Sequence, residues 1–222
     1  MIKFENISKS FPTPRGRKII LQNTNFVFPT GKAVGLMGRN GAGKSTLMQM
    51  ISGKIRPDTG TITHTGTMSW PVGFAGSFNR EMTGAQNTKF IARTYGIDTQ
   101  SLADYVEDFT ELGHHFHAPI RNYSSGMRSR LAFAISIGIP FDIYLVDEVT
   151  AVGDASFKRK SRIAFQDRMK KSSAIVVTHS TRQILKICDA GAVLENGKLQ
   201  YYEDVKEAIS KHHKNMGSDE DE

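Results

Sequence analysis

Residues 38–45 read Gly38-Arg39-Asn40-Gly41-Ala42-Gly43-Lys44-Ser45, the pattern of glycine, any four residues, glycine, lysine and serine or threonine. The apolar run 33–37 before it predicts a buried strand, and residues 46–51 after it predict a helix. Glycines let backbone N–H groups converge on phosphate oxygens, and a helix N-terminus adds about half a positive charge. The pattern therefore predicts a nucleotide phosphate site, with a plain glycine-rich turn as the alternative.

The composition is that of a soluble globular domain. The chain has 222 residues, a formal net charge of +7 and a single cysteine, Cys188. No apolar run approaches the ~20 residues that span a bilayer, and the first residues do not form a signal peptide, so we expect a cytoplasmic protein. One cysteine permits no intramolecular disulfide, and its apolar surroundings predict a buried thiol. The positive charge allows nucleic acid, an anionic membrane surface or a nucleotide as partner.

Apolar patterning predicts an α/β fold. Residues 2–7 predict a strand at a sheet edge, Phe11 is expected on the turn that follows, and residues 19–28 predict a second strand of the same small antiparallel sheet. From about residue 83 to 136 the pattern is helical, which predicts an inserted helical subdomain.

The α/β pattern then resumes. The short apolar runs 143–146 and 174–177 predict buried strands of a mostly parallel sheet, the core of a P-loop NTPase fold. We predict a single domain over residues 1–213 and an acidic, mobile tail over residues 214–222.

Two adjacent carboxylates end the buried strand at 143–146. Asp147 is placed to reach Mg²⁺, and Ser45 of the phosphate loop would hold the same ion through its hydroxyl. Glu148 is the candidate to polarise an attacking water. The alternative for both carboxylates is an acidic pair that opens an ordinary loop.

A second candidate anion site is Tyr123-Ser124-Ser125-Gly126-Met127-Arg128, just before a predicted helix. It offers a hydroxyl, small residues and unpaired N–H groups. The alternative is an ordinary helix N-cap formed by Ser124 or Ser125, and the two interpretations are compatible.

The order of these motifs resembles the ATP-binding subunits of ABC transporters. The resemblance extends over residues 2–209 and includes His179, which follows a buried strand. The stretches 69–71, 123–134 and 147–154 resemble those of the ATPases of bacterial capsular-polysaccharide exporters. The related exporters of O-antigen and teichoic acid are similar. Few residues follow the last predicted hairpin, so a C-terminal glycan-recognition domain is not expected, which favours capsule as cargo.

The resemblance implies roles for individual residues. Phe11 would stack on adenine, with a core or turn phenylalanine as the alternative. Ser124, Ser125 and Gly126 would contact ATP held by a second copy of the chain, Asp154 would lie at the dimer interface, and His179 would contact the γ-phosphate. The phosphates of ATP would be bound by Gly38, Arg39, Asn40, Gly41, Ala42, Gly43, Lys44, Ser45 and Thr46.

Two departures from the family pattern stand out. Ser125 and Met127 replace the usual glycine and glutamine of the signature, a variant that resembles the exporter branch. The loop that enters the helical insertion lacks the family's Mg²⁺-sensing glutamine, so Asn79 is the nearest candidate amide, while Gln86 falls inside the helical part.

The resemblance implies an ATP hydrolase that uses ATP and Mg²⁺. Its expected partners are a second copy of the chain, polytopic membrane permease subunits at the cytoplasmic face of the bacterial inner membrane, and periplasmic export proteins, without nucleic acid. The alternative is a soluble ABC ATPase that acts on nucleic acid or ribosomes. A P-loop GTPase is disfavoured because no Asn-Lys-x-Asp guanine motif occurs. A metal site at His114, His115 and His117 is also disfavoured, because no cysteine or carboxylate stands at a supporting spacing.

Overall fold

The computed structural model describes residues 1–14, 16–73, 76, 78–147, 154–178 and 180–217. The chain divides into two compact units. The first consists of Met1–Ser69, Asp142–Glu148 and Met169–Glu222, and the second of Trp70–Phe141 and Val149–Arg168.

The strands of the described residues form two sheets. In chain order they are β1 (Ile2–Thr13), β2 (Gly16–Phe28), β3 (Ala33–Met37), β4 (Thr59–His64), β5 (Met68–Pro71), β6 (Ile143–Asp147), β7 (Ser173–Val177), β8 (Ala190–Glu195) and β9 (Lys198–Tyr202).

The helices follow β3, β6, β7 and β9 singly, whereas three α-helices in succession lie between β5 and β6. They are α1 (Lys44–Ile51), α2 (Gly84–Thr94), α3 (Thr99–Thr110), α4 (Ser125–Gly138), α5 (Ala155–Met169), α6 (Thr181–Ile187) and α7 (Val205–Gly217), with two 3₁₀ helices at Gly113–His117 and Ile120–Asn122. The predicted α/β fold class is confirmed.

The antiparallel sheet has the order β2-β1-β4. Strand β1 is therefore central, and the prediction of an edge strand was wrong. Alternation in the sequence reports which side chains are buried, but both edges of β1 are paired through its backbone, with β2 on one side and β4 on the other. The prediction that Phe11 lies on a turn was also wrong, because β1 continues to Thr13 and Phe11 pairs with Lys18 of β2.

The second sheet has the order β5-β6-β7-β3-β8-β9. Strands β6, β7, β3 and β8 are parallel to one another, whereas β9 returns antiparallel to β8. Asn196 and Gly197 make that return with positive φ angles of 47° and 75°, as a tight hairpin turn requires. Strand β7 lies between β6 and β3, so the carboxyl ends of all three strands meet at one edge.

The core of the first unit lies between its two sheets and α1. Leu47, Met48, Met50 and Ile51 of α1 are buried in the same apolar cluster as Leu36 of β3. All five residues of β3 are buried, so the strand before the phosphate loop is held on both faces.

The second unit is mainly helical, as predicted. Thr83 and Gln86 form a capping box that begins α2, in which each side chain accepts a hydrogen bond from the other's backbone N–H group. Trp70, Tyr95 and Phe141 form an aromatic cluster with ring centroids 5.2–5.4 Å apart, and Trp70 Nε1 donates to Ser136 Oγ at 3.0 Å. This cluster joins the entrance of the insertion to its exit.

Helix α7 packs on β8 through a close approach at Gly191. A Cβ added to Gly191 would lie 2.2 Å from the Cβ of Ala208. The helix continues to Gly217, so residues 214–217 of the predicted tail are helical, while residues 218–222 lie outside the described part of the chain. None of the helices in the described ranges is both long enough and apolar enough to span a membrane.

Candidate nucleotide site

The phosphate loop lies between β3 and α1, as the sequence predicts. A Cβ on Gly38 would lie 2.4 Å from the carbonyl oxygen of Leu194, and one on Gly43 would lie 2.6 Å from Ile20 Cγ2. Gly43 also has a φ of 111°. Both positions therefore require glycine. At Gly38 the reason is the close approach of a backbone carbonyl group, and at Gly43 the reasons are the close approach of a side chain and the positive φ angle.

Lys44 is held inside this loop. Its Nζ donates to the carbonyl oxygen of Gly38 at 2.6 Å and to that of Arg39 at 3.1 Å. Burial lowers the pKa of Lys44, and the negative charge of Asp147 opposes that shift. The ammonium group and the Asp147 carboxylate therefore act on one another across the edge of the sheet.

The N-terminus of α1 fits an anion. Its N-cap residue is Gly43, and within the described chain no side chain accepts a hydrogen bond at this cap and no acidic residue lies in the first turn. Ser45 and Thr46 also lie in that first turn. The leading N–H groups of the helix and its dipole thus point toward a position where phosphate oxygens would be stabilised.

Asp147 is the last residue of β6 and is partly exposed. It is paired in register with Val177 of β7, and Thr178 follows at the same edge. Asp147 and Ser45 supply the carboxylate and hydroxyl oxygens that Mg²⁺ prefers, so the donor set fits this ion. Glu148 and His179, which the sequence predicts to act here, lie outside the described residues.

A cavity of about 330 Å³ adjoins the phosphate loop. Sequence reasoning missed part of its lining, because α7 contributes His212 and Met216, which are far along the chain from Lys44. Burial lowers the pKa of His212, the positive charges of His213 and Lys44 lower it further, and Glu195 opposes them. Only the packing of α7 on β8 brings these residues to the loop, so no local signal could have found them.

Phe11 lies on β1 and is partly buried, which does not support the alternative of a core phenylalanine. Lys9 Nζ lies 5.1 Å from the centroid of its ring and also pairs with Asp58 at 2.8 Å. The predicted contact of Phe11 with adenine stays a prediction.

The Ser-Ser-Gly motif begins α4 in the second unit. Ser124 is the N-cap, and its Oγ accepts a hydrogen bond from the N–H group of Met127 at 3.2 Å. Ser125 and Gly126 are the first two residues of the helix, and among the described residues outside the helix backbone a Cβ on Gly126 would have Ser124 Oγ, at 3.8 Å, as its one neighbour within 4 Å. The capping role is therefore confirmed, and the contact with ATP of a second copy stays a prediction.

Asn79 uses its side chain within its own loop. Its Oδ1 accepts from the N–H group of Glu81 at 3.0 Å, and its backbone is held by Asn87, whose amide accepts from Asn79 N at 2.9 Å and donates to Asn79 O at 3.0 Å. A role of Asn79 toward Mg²⁺ stays a prediction. Gln86, which the family pattern might suggest instead, is engaged in the capping box of α2.

The three clustered histidines show no metal-site geometry. His117 Nε2 lies 2.9 Å from Glu107 Oε1, and the rings of His114 and His115 pack against each other. Throughout the described ranges, no group of three or more histidine, cysteine or acidic side chains is placed to hold a metal ion.

The fold and this loop define a P-loop NTPase whose helical unit carries a Ser-Gly signature. A family model described as ABC transporter matches residues 21–151, more than half of the chain. The chain belongs to the ABC transporter family.

Its relatives place it further within that family. The chain is 48% identical over 215 residues to the polysialic acid transport ATP-binding protein KpsT of Escherichia coli, with 96% of each chain covered. It is 42% identical to the ATP-binding protein BexA of Haemophilus influenzae and to the capsule polysaccharide export ATP-binding protein CtrD of Neisseria meningitidis serogroup B, with 94% of this chain and 96% of each relative covered. These relatives support the exporter interpretation and not the alternative of an ATPase that acts on nucleic acid.

Solved structures agree on the fold. A dimeric ATP-binding cassette in a post-hydrolysis state, bound to ADP and phosphate, aligns with a TM-score of 0.71 at 19% identity over 90% of this chain and 98% of that one. An ATP-binding subunit of an ABC transporter aligns with a TM-score of 0.76 at 19% identity over 95% of this chain and 93% of that one.

Proposed function

We propose that this chain is the ATP-hydrolysing subunit of a membrane exporter of capsular or related cell-surface polysaccharide. The observation that carries the proposal is the phosphate loop itself, in which Lys44 is held by the carbonyls of Gly38 and Arg39 at the N-terminus of α1. The relative from Escherichia coli is a polysialic acid transport protein and that from Neisseria meningitidis is a capsule polysaccharide export protein, and this chain covers 96% of the length of each.

In this proposal, the chain's own residues bind and orient the nucleotide. The N–H groups of the loop and of the first turn of α1 donate to phosphate oxygens, and Lys44 neutralises their charge. Glu148 accepts a proton from the attacking water, and His179 orients that water near the γ-phosphate. Positioning and electrostatics, rather than covalent chemistry, lower the barrier.

Mg²⁺ belongs to the same proposal. Ser45 and Asp147 would hold it, with Asn79 as a further candidate contact through the loop of the helical unit. When bound, the ion supplies positive charge to the β- and γ-phosphates.

We further propose that two copies of the chain enclose two nucleotides. Ser124, Ser125 and Gly126 at the start of α4 would donate to the γ-phosphate bound by the partner copy, since a helix N-terminus favours an anion. The closed pair would drive movement of two membrane permease subunits at the cytoplasmic face of the inner membrane, and reopening would follow hydrolysis. Periplasmic export proteins complete the proposed assembly.

The decisive experiment replaces Glu148 with Gln in cells that lack the chromosomal copy of the gene. We expect Glu148→Gln protein to bind ATP with an affinity close to the wild type, yet to hydrolyse it at under about 1% of the wild-type rate, because the variant lacks the proton acceptor. Surface polysaccharide, measured by antibody or lectin binding to whole cells, should be lost.

A matched control is Glu203→Gln, which removes the same charge from an exposed position after β9. It should restore surface polysaccharide like the wild type. Normal hydrolysis by Glu148→Gln protein would refute the role of Glu148, and normal surface polysaccharide in cells without the gene would refute the exporter function.

A further inference from the structure

Lys18 of β2 reaches the phosphate loop from outside the loop's own sequence. A Cβ built on Gly41 would lie 3.3 Å from Lys18 Nζ. Ile20, two residues further along the same strand, faces the loop in the same way, because its Cγ2 would lie 2.6 Å from a Cβ on Gly43. Alternate residues of a strand share a face, so one face of β2 lies against the loop.

Lys18 also lies beside Phe11, the residue that is predicted to stack on adenine. Phe11 of β1 and Lys18 of β2 are directly paired, so their side chains lie next to each other on one face of the antiparallel sheet. A nucleotide whose base contacts Phe11 and whose terminal phosphates contact Lys44 would pass Lys18 on the way. The ammonium group is therefore placed between the base and the terminal phosphates.

The charge of Lys18 is not neutralised locally. Across the described ranges, its side chain has no carboxylate partner and no hydrogen bond, and the residue is exposed. Its basic neighbours are engaged instead, since Lys9 pairs with Asp58 at 2.8 Å and Arg17 donates to Ser10 Oγ at 2.7 Å. An unneutralised ammonium group at the mouth of a phosphate loop attracts anions.

We propose that Lys18 is a further phosphate-binding residue of this site, one that donates to the α-phosphate of a nucleoside di- or triphosphate. The proposal rests on the nucleotide-binding function proposed above. The ligand class follows from the position of the ammonium group, which is close to Gly41 and next to Phe11. Lysine suits this position because it acts as a compact point charge on a flexible chain.

The test compares ATP and ADP binding by the wild type, Lys18→Met, Lys18→Arg and the control Arg17→Met, measured by isothermal calorimetry at low and at high salt. Arg17→Met removes the same charge one residue away, from a side chain that donates to Ser10. All four proteins should have closely similar melting temperatures, because both side chains are exposed.

We expect Lys18→Met to raise the Kd for ATP and for ADP about fivefold at low salt, as loss of an exposed charge-assisted hydrogen bond implies. The difference should shrink at high salt, and Lys18→Arg should restore most of the affinity. Arg17→Met should stay within about twofold of the wild type.

Two results would overturn the role of Lys18 while leaving the nucleotide function intact. One is wild-type affinity in Lys18→Met protein, and the other is an equal loss in Lys18→Met and Arg17→Met, which would indicate only a long-range effect of net charge. Failure of the wild type itself to bind ATP or ADP would instead refute the nucleotide function, and the role of Lys18 with it.

Discussion

The ammonium group of Lys44 lies 2.6 Å from the carbonyl oxygen of Gly38, so the lysine of the phosphate loop is hydrogen-bonded to the loop's first glycine. A second bond reaches Arg39 O at 3.1 Å. An ammonium group has three hydrogens to donate, and these two bonds leave one for a phosphate oxygen. These two bonds therefore fix the position of the cation within the loop, and a charge fixed in this way can stabilise phosphate oxygens with little reorganisation.

Lys44→Met should abolish most ATP hydrolysis. We expect a fall of at least about 100-fold in kcat/KM, because the variant loses both the charge and the bonds that hold the loop. Lys44→Arg should not rescue activity, since a planar guanidinium group cannot replace a compact ammonium group between two carbonyls. Steady-state phosphate release measures the effect. Lys54→Met is the control with equal charge, and unchanged activity in Lys44→Met would contradict the assignment of the loop.

His212 should make stability depend on pH. Its pKa is lowered from the ordinary value of 6.5, first by burial and then by the charges of His213 and Lys44. As the pH falls through about 6.5, the unfolded chain takes up the proton before the folded chain does, so this histidine's contribution to stability is present above that pH and decreases below it.

Replacement of His212 by Gln should remove that dependence. When the pH changes from 7.5 to 5.5, we expect the melting temperature of the wild type to fall further than that of His212→Gln protein, as followed by circular dichroism. The control is His64→Gln, on the other sheet of the same unit. Identical pH profiles for the wild type and His212→Gln would show that α7 does not hold His212 in this environment.

Gly191→Ala should destabilise the first unit. The added Cβ would lie 2.2 Å from Ala208 Cβ and 2.8 Å from Met37 Cε, so α7 or β8 must shift. Overpacking of this kind costs about 1–3 kcal/mol, measurable by urea unfolding.

Two further variants isolate the cause. Gly217→Ala lies at the end of the same helix, where a Cβ would meet no atom of the described residues within 4 Å, and it should leave the unfolding free energy nearly unchanged. Ala208→Gly combined with Gly191→Ala should recover part of the loss, because it removes the atom that clashes. Equal effects of Gly191→Ala and Gly217→Ala would exclude the steric explanation.

The thiol of Cys188 should be unreactive in the folded protein. Burial, followed by the charge of Asp189, raises the pKa of Cys188 to about 12, so almost no thiolate exists at pH 8. We expect labelling by Ellman's reagent to be very slow in buffer and to reach one thiol per chain in guanidinium chloride, since the chain contains one cysteine. Rapid stoichiometric labelling without denaturant would show that the region around α6 opens readily.

Several parts of the fold could be predicted because they depend on neighbouring residues. The buried strand Ala33–Met37, the helix after the loop and the helix Thr181–Ile187 follow from local periodicity. The sequence also predicts the cap formed by Ser124 as one of two interpretations, since capping involves residues three apart.

Other parts could not be predicted because they depend on contacts between distant segments. The central position of β1 is set by its pairing with β4. Phe11 pairs with Lys18 because β1 extends beyond the alternating apolar pattern of residues 2–7. Asn79 illustrates the same limit, because its hydrogen bonds with Glu81 and Asn87 became visible only in the folded loop.

The chemistry available to this protein follows from its local sequence motifs. The spacing from Gly38 to Ser45 specifies a phosphate loop. The apolar run that ends in Asp147 specifies a buried strand with a carboxylate at its end. Which residues surround the phosphate loop depends instead on how distant segments pack. The position of β7 between β6 and β3 and the packing of α7 on β8 bring Asp147 and His212 near Lys44. The approach of β2 brings Lys18 near Gly41 of the same loop. Residue periodicity reports which face of an element is buried, whereas the identity of the neighbour depends on long-range packing.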